Sequence, residues 1–303
     1  IDSFVDTSVV KWDSILKANL QRHKKITIGT NFLRCALYRP FSKVFVYFEP
    51  TLISAPGLYP YFFPNPATEQ ENRVIAVTDS GSEKPFMALI NAGVTDLHIV
   101  GAGASAQCFP LYTYEADGTR RDNITDWALA EFRTRSGLAD LTKADIFYYV
   151  YAALHHPVWR SDFALNLKKE LPRIPWPDAN IPVARWVAIG RQLAELHLQY
   201  EQGPRANLEW IETAQPVHFR VTKMKRAGDR IIVNETLTLT GIPPVAWSYK
   251  LGNRSALEWL IDQYQVSGDS NPNAYSDDPM YIVNLIERVT HVSVQTMELV
   301  GQL

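Results

Sequence analysis

The sequence predicts an α+β fold, with β-rich and helical stretches following one another along the chain. Three observations carry that expectation. Short runs of β-branched and aromatic residues, bounded by Gly, Pro, Asp or Asn, dominate residues 25–114. Apolar residues at helical spacing take over near Thr125. A second stretch of period-two alternation then interrupts the helices at residues 217–240.

Taken in order, Val9 to about Lys24 reads as an amphipathic helix with Trp12, Ile15, Leu16 and Leu20 on one side. Strands are expected at Ile26–Ile28, Val44–Phe48, Val74–Val77 and Leu97–Val100, and a rigid proline-rich loop at Pro56–Pro66. Trp127–Arg135 is a helix. Ala144–His156 is apolar nearly all round and therefore buried. Trp159, Phe163, Leu167 and Leu171 share a helical face that ends at Pro172. Four prolines make Pro172–Pro182 an extended connector, and a helix follows from about Val183 to Tyr200. In 217–240, Val217, Phe219 and Val221 alternate with polar residues, as do Ile231, Val233, Leu237 and Leu239 beyond Ala227-Gly228-Asp229, so a β-hairpin is expected. Ser255 and Glu258 form a capping box for a helix carrying Leu257, Leu260, Ile261 and Tyr264. Pro279 opens a last helix that buries Ile282, Leu285, Ile286, Val289 and Met297. The expected organisation is one region, 1–303, with subregions 1–122 (β-rich), 123–212 (helical), 213–254 (β-hairpin) and 255–303 (helical).

The chain has 303 residues, 46% hydrophobic, with a formal net charge of -2. That composition excludes intrinsic disorder and collagen-like sequence. No apolar run approaches the roughly 18 residues that span a bilayer, and no membrane partner is expected. Two cysteines, Cys35 and Cys108, support neither a disulfide framework nor a four-ligand zinc site, which points to the cytoplasm. The chain opens at Ile1, as expected of a piece of something longer.

The small net charge is unevenly spread. Residues 11–43 hold Lys11, Lys17, Arg22, Lys24, Lys25, Arg34, Arg39 and Lys43 against Asp13 alone. Residues 217–254 hold seven cations against Asp229 and Glu235. The remainder holds 15 basic and 29 acidic residues. Two basic islands in an acidic chain concentrate positive potential if folding joins them, whereas the plain alternative is two solvated faces.

A search for chemistry returns mostly negatives. None of the twelve lysines has Asp or Glu two positions before it, so the PD-(D/E)xK nuclease motif is absent. Asn65-Pro66 lacks the following Pro and aromatic of an adenine-methyltransferase loop. Asp269-x-Asn271-x-Asn273 lacks the turn glycine and the glutamate of a calcium loop. His155 and His156 point about 100° apart on a helix and are expected to cap or pack. Gly101-x-Gly103-x-x-Ala106 fits a nucleotide-binding turn after the Leu97–Val100 strand, but Gln107–Pro110 continues as a strand where a helix is required. A nucleotide- or adenosylmethionine-binding enzyme using Gly101–Ala106 is kept as the alternative reading.

Several segments resemble one family. They are Tyr38–Lys43 with Val46-Tyr47-Phe48, Val77–Phe86, Asp96-Leu97-His98, Gln107–Tyr112, Asp145–Tyr151 with Lys169–Pro175, and Ala256–Tyr264. In order and spacing they are similar to the C-terminal target-recognition region of type ISP restriction–modification enzymes, single polypeptides that join a nuclease, a helicase-like ATPase, an adenine-N6 methyltransferase and a DNA-recognition region. The resemblance implies that this chain reads double-stranded DNA, with no cofactor of its own. It places S-adenosylmethionine, ATP and Mg in the parent polypeptide and makes the upstream methyltransferase and helicase domains its partners.

Base reading needs Arg, Lys, Asn, Gln or Ser on a ribbon, helix or loop, with further cations for phosphates. The first candidate is the 217–240 hairpin, with Lys223, Lys225, Arg226 and Arg230 at its tip and Arg220 and Asn234 on its polar face. The second is the Ser80–Lys84 turn, with Ser82, Lys84 and a backbone able to approach phosphate. Lys250, Asn253 and Arg254 are the third, and Arg120 with Arg121 the fourth. The N-terminal island is assigned to the side facing the methyltransferase domain.

Overall fold

Strand β3 explains the layering. In the computed structural model, which describes residues 13–53, 56–268 and 270–303, all five residues of Val74–Thr78 are buried. A strand apolar on both faces must be covered on both faces. Counting from the N-terminus, β1 (Leu33–Arg39) and β2 (Ser42–Tyr47) form a hairpin, and β3 is flanked by β4 (Ala88–Asn91) and β5 (Ala106–Pro110) in an antiparallel sheet of order β4-β3-β5. Ile75 and Val77 point to one side, into a cluster with Phe147, Tyr151 and Leu193. Ala76 faces the other side, into the largest cluster, with Val233, Leu239, Trp259 and Leu285. Each fully buried Val or Ile here contributes about 1.5–3 kcal/mol.

The first of those covers is helical. It follows two short helices, α2 (Tyr59–Phe62) and α3 (Thr68–Glu71), and a two-stranded sheet, β6 (Tyr112–Tyr114) with β7 (Arg120–Asp122). Helices α4 (Asp126–Ser136), α5 (Lys143–Ala153), α6 (Pro157–Asp162) and α7 (Val183–Leu198) come next. Gly190 lets α5 and α7 touch, because a Cβ there would sit 1.9 Å from the Tyr148 carbonyl oxygen. The expected packing and capping histidines are both present. His156 caps α6 by accepting from the Trp159 amide at 3.2 Å, and His155 is buried against the Tyr151 carbonyl at 2.8 Å. Burial pushes His155 down to about 4 and also lowers His197, whose ring bonds Tyr151 Oη at 2.6 Å and Thr296 Oγ1 at 2.9 Å.

The second cover is the C-terminal part. Strands β8 (Glu209–Glu212), β9 (Lys225–Ala227), β10 (Arg230–Ile232) and β11 (Leu237–Thr240) pair in the order β8-β11-β10-β9. A two-residue hairpin, β12 (Lys250–Leu251) and β13 (Arg254–Ser255), feeds α8 (Ala256–Gln263), and α9 (Tyr281–Val300) closes the core.

Several expected elements differ. Val9–Trp12 lie outside the described residues, and the rest of the first helix is α1 (Ser14–Gln21), capped by Asp13. Its expected inward residues Ile15 and Leu20 are 44% and 45% exposed. Ile26–Ile28 forms no strand, and Leu97–Val100 is a turn rather than a strand. The helix through Leu171 stops at Asp162, after which the chain continues in turns. Strand β1 was missed by the alternation because Arg34 and Arg39 are buried by pairing, with Glu69 and with Asp96 at 3.0 Å, and not by apolarity.

Candidate nucleic-acid interface

The hairpin tip forms as its sequence requires. Gly228 takes φ +66, which favours glycine, and Arg230 pairs with Ala227 across the Gly228-Asp229 turn. The first expected arm does not form. Residues 217–221 have no strand partner, and β11 pairs instead with β8. Side chains intercept their backbone groups. Asn234 Nδ2 donates to the carbonyls of His218 and Arg220, both at 2.9 Å. Asn273 accepts from the Val221 amide at 2.7 Å and donates to its carbonyl at 2.8 Å. Such local bonds replace a ladder.

Asn234 is therefore no base reader. It is 3% exposed, and its Oδ1 also accepts from the amides of Thr236 and Leu237. Arg220 departs from the tip as well and lines another cavity with Asp277 and Asp278.

The remaining tip residues meet the 250–254 hairpin across an open groove of about 840 Å³, whose lining includes Lys223, Arg226, Lys250, Asn253, Arg254 and Gln265. Helix α8 supplies the floor. Its Glu258 completes the capping box by accepting from the Ser255 amide at 2.7 Å, while Ser255 Oγ accepts from the Glu258 amide. The same carboxylate accepts from Arg226 Nη1 and from Lys250 Nζ, each at 2.9 Å. Partial burial alone would raise its pKa, but the Ser255 amide and the Lys250 ammonium outweigh that and hold it down to about 2. One turn further on, Asp262 pairs with Arg254 at 3.1 Å. Both guanidiniums also lie over indoles, Arg226 at 3.9 Å from the Trp247 ring centre and Arg254 at 4.9 Å from that of Trp259. Lys223 and Lys225 are exposed and form no ion pair with any described carboxylate.

The Ser80–Lys84 turn lies near Trp259 without lining the groove. A Cβ on Gly101 would lie 3.4 Å from Trp259 and 4.0 Å from the Lys84 side chain. Its backbone is less free than expected. The Ser80, Gly81 and Lys84 amides already donate to Asp79, to the Lys168 carbonyl and to Ser82 Oγ. Arg230 stays exposed beside Asp229. Arg120 and Arg121 sit apart on β7, paired with Glu71 at 2.8 Å and Glu115 at 2.6 Å. Gly101–Ala106 is a turn between a turn and strand β5, so it offers no helix N-terminus to a phosphate. The N-terminal island also divides. Arg34, Arg39 and Lys43 are tied to carboxylates, while Lys17, Arg22, Lys24 and Lys25 are exposed; Lys11 lies outside the described residues.

Sequence reasoning missed Trp247, Trp259, Asp262 and the second role of Glu258. The available signal was Glu258 and Asp262 at i and i+4, on a face of α8 away from Leu257 and Leu260.

No curated protein matches the chain. Solved structures do. A nuclease-deletion mutant of the Type ISP restriction–modification enzyme LlaGI, in complex with a DNA substrate mimic, is 34% identical with a TM-score of 0.80 over 97% of this chain. The DrdV–DNA complex is 33% identical, TM-score 0.84, over 97%. The ATP-dependent Type ISP enzyme LlaBIII bound to DNA is 29% identical, TM-score 0.84, over 98%. The chain spans 22%, 30% and 20% of the lengths of these three. The model of the Type ISP C-terminal specificity domain matches residues 3–285, and the chain belongs to that family.

Proposed function

We propose that the chain is the DNA-reading part of a restriction–modification polypeptide and that it engages duplex DNA through the groove between the β9–β10 tip, the β12–β13 turn and α8. The observation that carries this reading is the convergence of Lys223, Arg226, Lys250 and Arg254, from one sequence island, on that groove, with Lys225 exposed on the adjoining strand β9. Clustered cations are the electrostatic footprint of a phosphate backbone. The related solved structures with DNA support it. No described helix is long and apolar enough to cross a membrane, and the polypeptide works in the cytoplasm.

Methyl transfer and ATP-dependent cleavage, with S-adenosylmethionine, ATP and Mg, belong to other parts of that polypeptide, and this chain directs them as one recognition region. The side bearing α1 and the segment after it faces the methyltransferase domain. There Lys17, Lys24 and Lys25 lie among the uncovered Ile15, Leu20, Ile26 and Ile28.

The test is a titration of labelled duplex with the chain across a salt series. Removing two phosphate contacts by Lys223→Ala with Lys225→Ala lowers the slope of log K against log salt by about 2. The pair Arg120→Ala, Arg121→Ala leaves it unchanged. An unchanged slope in the first variant overturns the assignment of the groove.

A further inference from the structure

The groove holds two arginines in matching assemblies. Each guanidinium lies over an indole and is tethered by a carboxylate of α8, Arg226 by Trp247 and Glu258, Arg254 by Trp259 and Asp262. The tethers are four residues apart, hence roughly 6 Å along the helix. The two lysines of the tip, Lys223 and Lys225, have neither an indole nor a carboxylate.

We infer that Arg226 and Arg254 are the specificity-determining residues of this groove, each reading a guanine in the major groove, and that Lys223 and Lys225 serve phosphates. This rests on the proposal that the groove binds DNA. A guanidinium has five N–H donors in a planar fork, and guanine presents O6 and N7 side by side. Arg226 spends its Nε on the Gly228 carbonyl at 3.0 Å and one Nη1 hydrogen on Glu258 at 2.9 Å. That leaves a hydrogen on Nη1 and both on Nη2, which is the pair an end-on bidentate contact needs. Arg254 commits Nη2 to Asp262 and keeps donors on both terminal nitrogens. The two side chains are 41% and 37% exposed, so the free ends reach the groove while the indoles set their planes. A fork fixed before binding discriminates better than a mobile one, because less side-chain freedom is lost on contact. A phosphate contact needs no such fixing, and the untethered lysines suit it.

The experiment selects duplexes from a randomised library with the 303-residue chain as wild type, Arg226→Lys, Arg254→Lys and Lys225→Ala. A lysine keeps the charge and loses the fork. Wild type enriches a motif containing at least two G·C pairs. Each Arg→Lys variant loses preference at one of them, where discrimination of roughly 5- to 150-fold collapses toward none, and keeps the others. Lys225→Ala binds every sequence more weakly and keeps the whole motif. A second readout needs no variant, since replacing those guanines by 7-deazaguanine removes the N7 acceptor and weakens wild-type binding at least several-fold. If both Arg→Lys variants retain the wild-type motif, or 7-deazaguanine binds as guanine does, the inference is overturned while the DNA-binding groove stands. If wild type enriches no motif, the proposed function itself fails, and the inference with it.

Discussion

Glu258→Gln is the most informative single change, because one carboxylate caps α8 and anchors two cations of the groove. A carboxyl held at about 2 instead of 4.5 prefers its charged form by roughly 3 kcal/mol, at about 1.4 kcal/mol per tenfold. Two corrections reduce what the substitution removes. Glutamine still accepts from the Ser255 amide, so the capping box survives. The partners Arg226 and Lys250 are 41% and 47% exposed, and solvent screens their pairs. The expected loss is about 1.5 kcal/mol at pH 7, read as a lower urea midpoint. The sign with pH follows from a lowered carboxyl pKa. The wild-type advantage is complete above about 4.5 and is lost as pH falls toward 2, so by pH 3 it is less than half its neutral value. Equal midpoints at pH 7, or a deficit as large at pH 3 as at pH 7, would refute the reasoning.

Three further outcomes are expected. Asn234→Ala strips the bonds that hold 218–221, costs about 2 kcal/mol by leaving the buried Leu237 amide and the part-buried His218 and Arg220 carbonyls unpaired, and speeds proteolysis or amide exchange in that segment; unchanged exchange would contradict the placement of Asn234. Gly190→Ala forces a methyl into the Tyr148 carbonyl at 1.9 Å, so α5 and α7 must separate and stability falls by several kcal/mol; a thermal midpoint equal to wild type would contradict that crossing. His155 and His197 are buried neutral, so between pH 6.5 and about 4 the unfolded chain binds more protons than the folded one. Stability then falls on acidification by up to about 1.4 kcal/mol per pH unit for each histidine, and urea midpoints flat from pH 7 to 5 would contradict it.

What the sequence made legible was local. The α8 capping box, the buried α5, the apolar Val74–Val77 run of β3 and the Gly228-Asp229 turn each follow from spacing within a few residues, and each forms. Strand β1 was hidden because its buried residues include Arg34 and Arg39, whose partners Glu69 and Asp96 are 35 and 57 residues away. The 217–221 arm alternates like a strand, yet side chains from Asn234 and Asn273 satisfy its backbone, and alternation carries no information about such capture. The site was half legible for the same reason. The cations were visible as an island, but the indoles and carboxylates that orient them come from residues 247–262, and the island alone gave no geometry.

The central claim is that this chain decides which DNA sequence is read, and exchanging it tests that most directly. The 303 residues replace the corresponding region of the LlaGI enzyme, 34% identical with a TM-score of 0.80, and the sites that become methylated are scored on a library of random duplexes. The account predicts that the chimera methylates a new site, the one enriched by this chain alone, and abandons the LlaGI site. An active chimera that still methylates the LlaGI site would contradict it.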